Sequence, residues 1–294
     1  MGYINNSKLL YYGERLENKR PITAEMMMTN FCNYDCKYCR YKRGNEYFRF
    51  EDFKRAVLRL KELGVKGFNI TGGGEPLLNP DIVKILDWLD ENKVPYGINT
   101  NFTRCIDNKP KWLKVSLHDN YDLENVIDNI GRFRGKNKET VLGIQVIVEG
   151  IEDIERFYDK YKYLDVDYMA FRPLEVKYKA YEDKEVDDIV KELEDLRDKD
   201  GKVLINYKWH MMKERFKECR ANWSVITVDY DGDVWYCCHK PDEIVGNIFD
   251  DDILEKKRNF NTNIEKCDIP CRMIGNNLAM VELEKKRDEH IEFI

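Results

Sequence analysis

No apolar run in this 294-residue sequence approaches the length needed to span a bilayer. No basic block stands out, and the net charge is −6, which argues against a nucleic-acid backbone as the main partner. The opening MGYINNSKLL has no long apolar core after a basic start, so it does not read as a secretory signal. Gly2 lacks the Ser or Thr at position 6 that myristoylation expects. There is no internal repeat and no low-complexity linker. These absences lead us to expect a cytoplasmic protein without membrane or nucleic-acid partners. A hydrophobic content of 43% is enough for one large domain, or for a domain with an appendage.

What the chain does have is nine cysteines. The odd count and the expected reducing compartment both argue against a disulfide framework. Cys32, Cys36 and Cys39 cluster early, and Cys219, Cys237, Cys238, Cys267 and Cys271 fall late; Cys105 stands alone. Two thiol groups separated by a cysteine-poor middle point to two metal sites, because thiolates suit zinc, copper(I) and iron–sulfur clusters.

Between them the chain alternates short apolar runs with amphipathic segments. Residues 22–30, 67–71, 95–101, 112–118, 140–149 and 166–173 read as strands. Residues 50–65, 80–92, 122–130 and 151–162 read as helices. Repeated strand–helix units imply a parallel sheet with right-handed crossovers. Six units are too few for an eight-unit barrel, so we expect an α/β fold built as a partial (β/α)6, TIM-like barrel. Beyond it come a charged helix (183–201), a hairpin (225–237) turning at Asp231-Gly232, and a terminal helix (276–293). The expected division is an N-terminal segment 1–21, a barrel 22–205, and a small cysteine-rich domain 206–294 with a β-hairpin and a helix.

The first cluster has three residues between Cys32 and Cys36, two between Cys36 and Cys39, and an aromatic, Tyr38, before the last cysteine. A structural zinc site wants four ligands, and no local fourth ligand is present. A four-iron cluster on three cysteines leaves one iron open for a small molecule. This spacing resembles the signature of the radical S-adenosylmethionine (SAM) superfamily. TGGGEP (71–76), directly after the second strand, resembles the family's glycine motif; its glycines admit close approach of a ligand to the backbone. INTN (98–101) and VSLHD (115–119) resemble the third- and fourth-strand segments, although Phe102 stands where glycine is usual. Together the matches cover about residues 25–175. The resemblance implies a [4Fe–4S] cluster on Cys32, Cys36 and Cys39. It also implies SAM contacts from Tyr38, Gly72, Gly73, Gly74, Glu75, Asn101 and Ser116, with Arg134 or Arg132 as a further candidate.

In the later cluster the hairpin can bring Cys219 and Cys237 together despite their separation. DGDVWYC, then GNI (246–248), then a cysteine pair resembles the C-terminal extension of radical SAM proteins that carry an auxiliary iron–sulfur cluster, known as SPASM or, when shortened to one cluster, Twitch. Five cysteines in about fifty residues resemble the shortened form. Four ligands close one four-iron cluster, and the resemblance implies Cys219, Cys237, Cys267 and Cys271. Cys238 is expected to point away by strand alternation. Spacing alone also permits a four-cysteine zinc ribbon.

The function these features imply is reductive cleavage of SAM to a 5′-deoxyadenosyl radical and hydrogen-atom abstraction from substrate, by an oxidoreductase-type enzyme served by a donor such as flavodoxin or ferredoxin. The substrate is expected to be a peptide or protein residue. The alternatives are a cyclitol or carbohydrate alcohol, as for the butirosin-pathway dehydrogenase, and a non-catalytic zinc-binding interaction module. Cys105 and Cys238 are candidate catalytic hydrogen donors. His118, His239 and the Met26–Met28 run read as structural.

Overall fold

The alternating segments fold into a single curved sheet with helices on its outer face. A computed structural model describes residues 20–117, 122–175, 181–212, 217–267 and 271–285. The strands and helices run β1 (Thr23–Met27), α1 (Phe50–Glu62), β2 (Gly67–Thr71), α2 (Ile82–Glu91), β3 (Tyr96–Thr100), β4 (Trp112–Ser116), α3 (Leu123–Lys136), β5 (Val141–Val148), α4 (Glu152–Tyr161), β6 (Tyr168–Pro173), α5 (Asp183–Lys199) and β7 (Val203–Ile205). These seven strands lie side by side in chain order, all parallel. The architecture is the expected partial barrel, with one unit more than the sequence reading. The charged helix leads into β7, a strand of three residues, too short to leave a periodic signal.

Amphipathic spacing explains the outer layer. On α1, Phe53, Ala56, Val57 and Leu60 are buried against the sheet; on α2, Ile82, Ile85, Leu86 and Leu89 are. Helix α1 stops in a Schellman motif. Gly64 takes φ 105°, its N–H donates to Lys61 O, and the Val65 N–H donates to Leu60 O. The sheet's outer face supplies Ala24, Met26, Phe68, Ile70, Ile98, Leu113 and Val115 to the same core. Met26 and Met28 belong to that core, in line with the sequence reading.

The inner face is different. Asn69, Asn99, Lys114, Ser116, Gln145 and Arg172 alternate with the core residues and are only half-buried. Below them on the same face stand two rings. A Cβ at Gly97 would lie 2.0 Å from the Trp112 ring, and one at Gly143 would lie 2.1 Å from the Tyr168 ring. Only glycine at these two positions lets each ring lie across its neighbouring strand.

The C-terminal hairpin does not stand apart. Strands β8 (Val225–Val228) and β9 (Asp233–Trp235) turn at Gly232, φ 82°, and β9 pairs with β10 (Ile244–Asn247), a strand the sequence reading lacked. β8 lies parallel to β1, so sheet order is β10-β9-β8-β1-β2-β3-β4-β5-β6-β7. Helices α6 (Ile253–Asn259) and α7 (Ile274–Lys285) complete the described residues. His118 and the last part of the expected terminal helix lie outside them. No helix among the described residues is long and apolar enough to cross a membrane.

Candidate functional site

The first cysteine group sits on a loop rooted at the C-terminal end of β1. Backbone bonds close its base: Phe48 N–H to Met28 O, Asn30 N–H to Glu46 O, and Gly44 N–H to Asn30 O. Asn79, fully buried, grips both ends: its Nδ2 donates to Met28 O (3.0 Å) and to Phe48 O (2.9 Å). The glycine loop after β2 is laid directly against it. Gly74 N–H donates to Thr29 O (2.7 Å) and Glu75 N–H to Phe31 O (2.8 Å). Arg43 joins the two loops, donating to Gly73 O (3.0 Å) and Tyr34 O (3.1 Å).

The three glycines have separate duties. A Cβ at Gly74 would fall 1.8 Å from Phe31 O, and one at Gly72 would fall 1.8 Å from Gly74 O. These two permit the chain's own close packing. At Gly73 a Cβ would meet nothing nearer than 3.6 Å. Gly73 therefore keeps open space beside the Tyr41 ring, and its role faces the cavity.

Cys32, Cys36 and Cys39 line one open cavity of about 470 Å³ at the C-terminal end of the barrel, within the usual range for a small-molecule site of about 300–1,000 Å³. Tyr38, Gly72, Gly73, Gly74, Glu75, Asn101 and Ser116 line it too. Three thiols over a glycine cradle fit a cluster with one open iron and a ligand lying across it.

Glu75 is buried, and burial pushes its carboxyl up to about 7 against the bonds it accepts. Those come from Thr100 Oγ1, Leu77 N–H and Asn101 N–H. Oε1 takes two donors and Oε2 one, so Oε2 retains an acceptor position. The Asn101 side chain is already committed: Nδ2 donates to Asn33 Oδ1 (2.9 Å), and Oδ1 accepts from Thr103. It ties the cysteine loop to the loop after β3. Ser116 Oγ accepts from Gln145 Nε2 at 3.2 Å.

Phe102 replaces the expected glycine without losing glycine's conformation. It takes φ 56°, a strain of about 1–2 kcal/mol for a side chain. Its ring is fully buried edge-on to Phe133 at 5.8 Å, which recovers about 1.5–3 kcal/mol. Burial therefore offsets the strain.

Two candidates lie elsewhere. Arg134 is not brought to the cavity; it donates to Asp167 Oδ2 (2.6 Å), Asp165 O and Thr140 O at the opposite, N-terminal end of β5 and β6. Its neighbour Arg132 is exposed. Cys105 packs against the outer core, with Sγ 3.7 Å from Asn129 O and Ile106 O, and does not line the cavity.

The later cysteines converge. Cys219, Cys237, Cys238, Cys267 and Cys271 line a smaller cavity of about 50 Å³, several times the 10–15 Å³ or so that one water needs. Asn277, fully buried on α7, holds the Cys219 segment: Oδ1 accepts from Arg220 N–H and Ala221 N–H, and Nδ2 donates to Glu218 O. Cys238 was expected to face away, but β9 ends at Trp235, so strand alternation has lapsed before Cys237 and both thiols reach the cavity. Arg272 Nη1 donates to Cys238 Sγ at 3.0 Å. Lys257, whose ammonium is pushed down to about 7 by burial against the pull of Cys219 and Cys237, donates to Asn222 O (2.6 Å) beside this cavity. Soft donors around a closed space fit an iron–sulfur cluster.

The two cavities share a wall. His239 and Arg272 line both. Arg272 pairs with Glu25 of β1, Tyr41 Oη donates to Cys238 O (2.8 Å), and Arg40 donates to His239 O (3.1 Å). Sequence reasoning missed the polar inner set of Lys114, Arg172, Glu175 and Lys208. The signal was present in WLKVS, where Lys114 shares the face of Ser116.

Residues 26–116 match the family described as the radical SAM superfamily, and residues 219–272 match SPASM, an iron–sulfur cluster-binding domain. The chain thus carries a radical SAM domain and a SPASM domain, which imply SAM with a [4Fe–4S] cluster and auxiliary iron–sulfur as cofactors. Among curated relatives, the probable GTP 3′,8-cyclase of Pyrococcus horikoshii is 29% identical over 142 residues, covering 47% of this chain. That match spans 43% of the relative's own length, less than half. The radical SAM cyclopropyl synthase TigE of Paramaledivibacter caminithermalis is 23% identical over 92% of this chain and 71% of its own. Among solved structures, Streptococcus suis SuiB bound to its precursor peptide SuiA superposes with a TM-score of 0.65 at 16% identity, covering 88% of this chain and 74% of SuiB. The likeness to SuiB is one of fold.

Proposed function

We propose that this protein is a cytoplasmic radical SAM enzyme that modifies a peptide residue. The observation that carries the reading is the shared wall: one open cavity collects three cysteines and the glycine loop, and a second, closed cysteine cavity adjoins it through His239 and Arg272. When bound, the cluster and SAM supply the 5′-deoxyadenosyl radical that removes a hydrogen atom from substrate. Cys32, Cys36 and Cys39 hold the first cluster, and Gly73 leaves room for the methionine end of SAM. Glu75 Oε2 offers its remaining acceptor position to the SAM amino group, whose positive charge draws the carboxyl back to its ionised form. Cys219, Cys237, Cys267 and Cys271 hold the auxiliary cluster, within the cysteine-rich region 206–294. An external flavodoxin- or ferredoxin-type donor supplies the electron. The peptide reading is supported by the likeness to SuiB and TigE.

Anaerobically reconstituted protein, given a reductant, should convert SAM to 5′-deoxyadenosine and methionine. Gly73→Val should keep the cluster's absorbance and lose SAM binding; unchanged SAM affinity would reduce the glycine loop to a turn. Mass spectrometry of short peptides encoded beside the gene, incubated with reduced enzyme, tests the substrate class. Turnover of a cyclitol alcohol with all peptides unchanged would overturn the peptide reading.

A further inference from the structure

Among the described residues, the inner face of the barrel holds more positive than negative charge, and one ammonium on it has no hydrogen bond or ion pair. Glu175 is buried and shared: Lys208 pairs with its Oε1, Arg172 donates to the same oxygen at 2.6 Å, and His239 lies 3.5 Å from Oε2. Burial alone would raise that carboxyl, but Arg172, Lys208 and His239 hold it well below the usual carboxylate range. Arg272 is paired with Glu25. Lys114 is left over. It rises from β4 into the cavity, on the same face as Ser116 and Trp112 and between them. Among the described residues no hydrogen bond or ion pair reaches its ammonium; the Trp112 ring lies 5.7 Å away.

A lysine placed this way is costly. Burial, then the charges of Arg172, Arg272 and Lys208, push its ammonium down to about 7, against the pull of Glu175. An amine held among cations in a cavity is relieved by an anion. One ammonium without an ion pair, beside cations that already share carboxylates, calls for an anionic group. A cationic or apolar substrate group would leave the repulsion in place.

We propose that the lower part of the barrel cavity is a carboxylate subsite, in which Lys114, backed by Arg172 and Lys208, anchors an acidic side chain of the peptide substrate. The proposal rests on the peptide reading for its occupant, and it adds the substrate's chemistry: an aspartate or glutamate beside the residue that is modified. Ser116 and the glycine loop, nearer the cavity's cysteine end, remain for SAM.

The experiment uses reconstituted, SAM-loaded protein and two probes of equal length, glutarate and its uncharged diamide, followed by calorimetry. Glutarate should bind and the diamide should not. Lys114→Gln should weaken glutarate at least tenfold, and Lys114→Arg should restore most of that loss. On wild-type protein, glutarate should slow acetylation of Lys114 by an amine-reactive ester, read by mass spectrometry, and the diamide should not. That arm tests the site even if a variant fails to fold. Glutarate binding unchanged in Lys114→Gln overturns the proposal. So does loss of SAM affinity in that variant, which would assign the ammonium to the carboxylate of SAM, and so does binding of inorganic phosphate in preference to glutarate. Failure of the radical SAM reading would appear separately, as absence of 5′-deoxyadenosine from the wild type.

Discussion

Asn79 and Asn277 are both fully buried, and each grips backbone beside a cysteine group, yet the surroundings of the two grips differ. Around the first, the loops after β1 and β2 are cross-pinned and the thiols face an open cavity of about 470 Å³ lined largely by polar groups. Around the second, five thiols face a space near 50 Å³, with aromatic, aliphatic and paired charged side chains closing it. A site that must admit a small molecule is built from rigid loops around a void. A site that holds only its own cluster is built as a core with sulfur in it. The first should therefore survive loss of metal as folded protein, and the second should not.

The sharpest way to break this contrast is to remove each metal site in turn. Converting Cys32, Cys36 and Cys39 together to alanine should abolish 5′-deoxyadenosine formation and remove roughly half the iron, four of about eight atoms for two cubes. The melting transition should change little. Cys237→Ala should instead remove the auxiliary iron and lower stability measurably, because a metal held by ligands from distant parts of a chain contributes its binding energy to folding. Cys238→Ala should retain full iron. If Cys238→Ala loses iron and Cys237→Ala does not, the ligand set must be exchanged, which the shared cavity permits. Iron content by colorimetry and melting by circular dichroism read both outcomes.

Glu75 sharpens the contrast through pH. Its folded-state value is raised from 4.5 to about 7, so its stabilising contribution is complete below 4.5 and is lost as pH rises through about 7. Relative to Glu75→Gln, wild-type protein without SAM should lose up to about 3 kcal/mol between pH 4.5 and 8. Chemical denaturation of both proteins across that range measures the difference. Parallel curves would show that Glu75 ionises normally. The smallest expected effects come from the two grips. Asn79→Ala and Asn277→Ala each leave buried backbone groups unpaired, at about 1–3 kcal/mol. Only Asn277→Ala should also slow recovery of iron during reconstitution.

Most of the barrel was legible because its strands are β-rich runs bounded by glycine or proline and its helices keep one apolar stripe. The three cysteines and triple glycine were legible because spacing is local. What was not legible depends on distance or on short elements. β7 and β10 have three and four residues. The pairing of β8 with β1 joins residues 202 positions apart, and no periodicity carries that information. Cys238 was misdirected by carrying strand alternation past Trp235, where β9 ends. Arg134 looked available because Asp167, which takes its charge, lies 33 residues away. Lys114 was read as part of a strand; its meaning emerges once Arg172, Glu175 and Lys208 are brought around it.

The seam between β1 and β8 has a consequence for the protein's fate in a cell. β1 is bordered by β2 on one side and by β8 on the other. If the auxiliary cluster holds the C-terminal segment in place, a chain made under iron starvation would leave Thr23–Met27 with unpaired main-chain groups along one flank. A bare strand edge templates addition of another chain's strand. Iron supply would then govern how much of the protein remains dispersed and how much is driven into inclusion bodies.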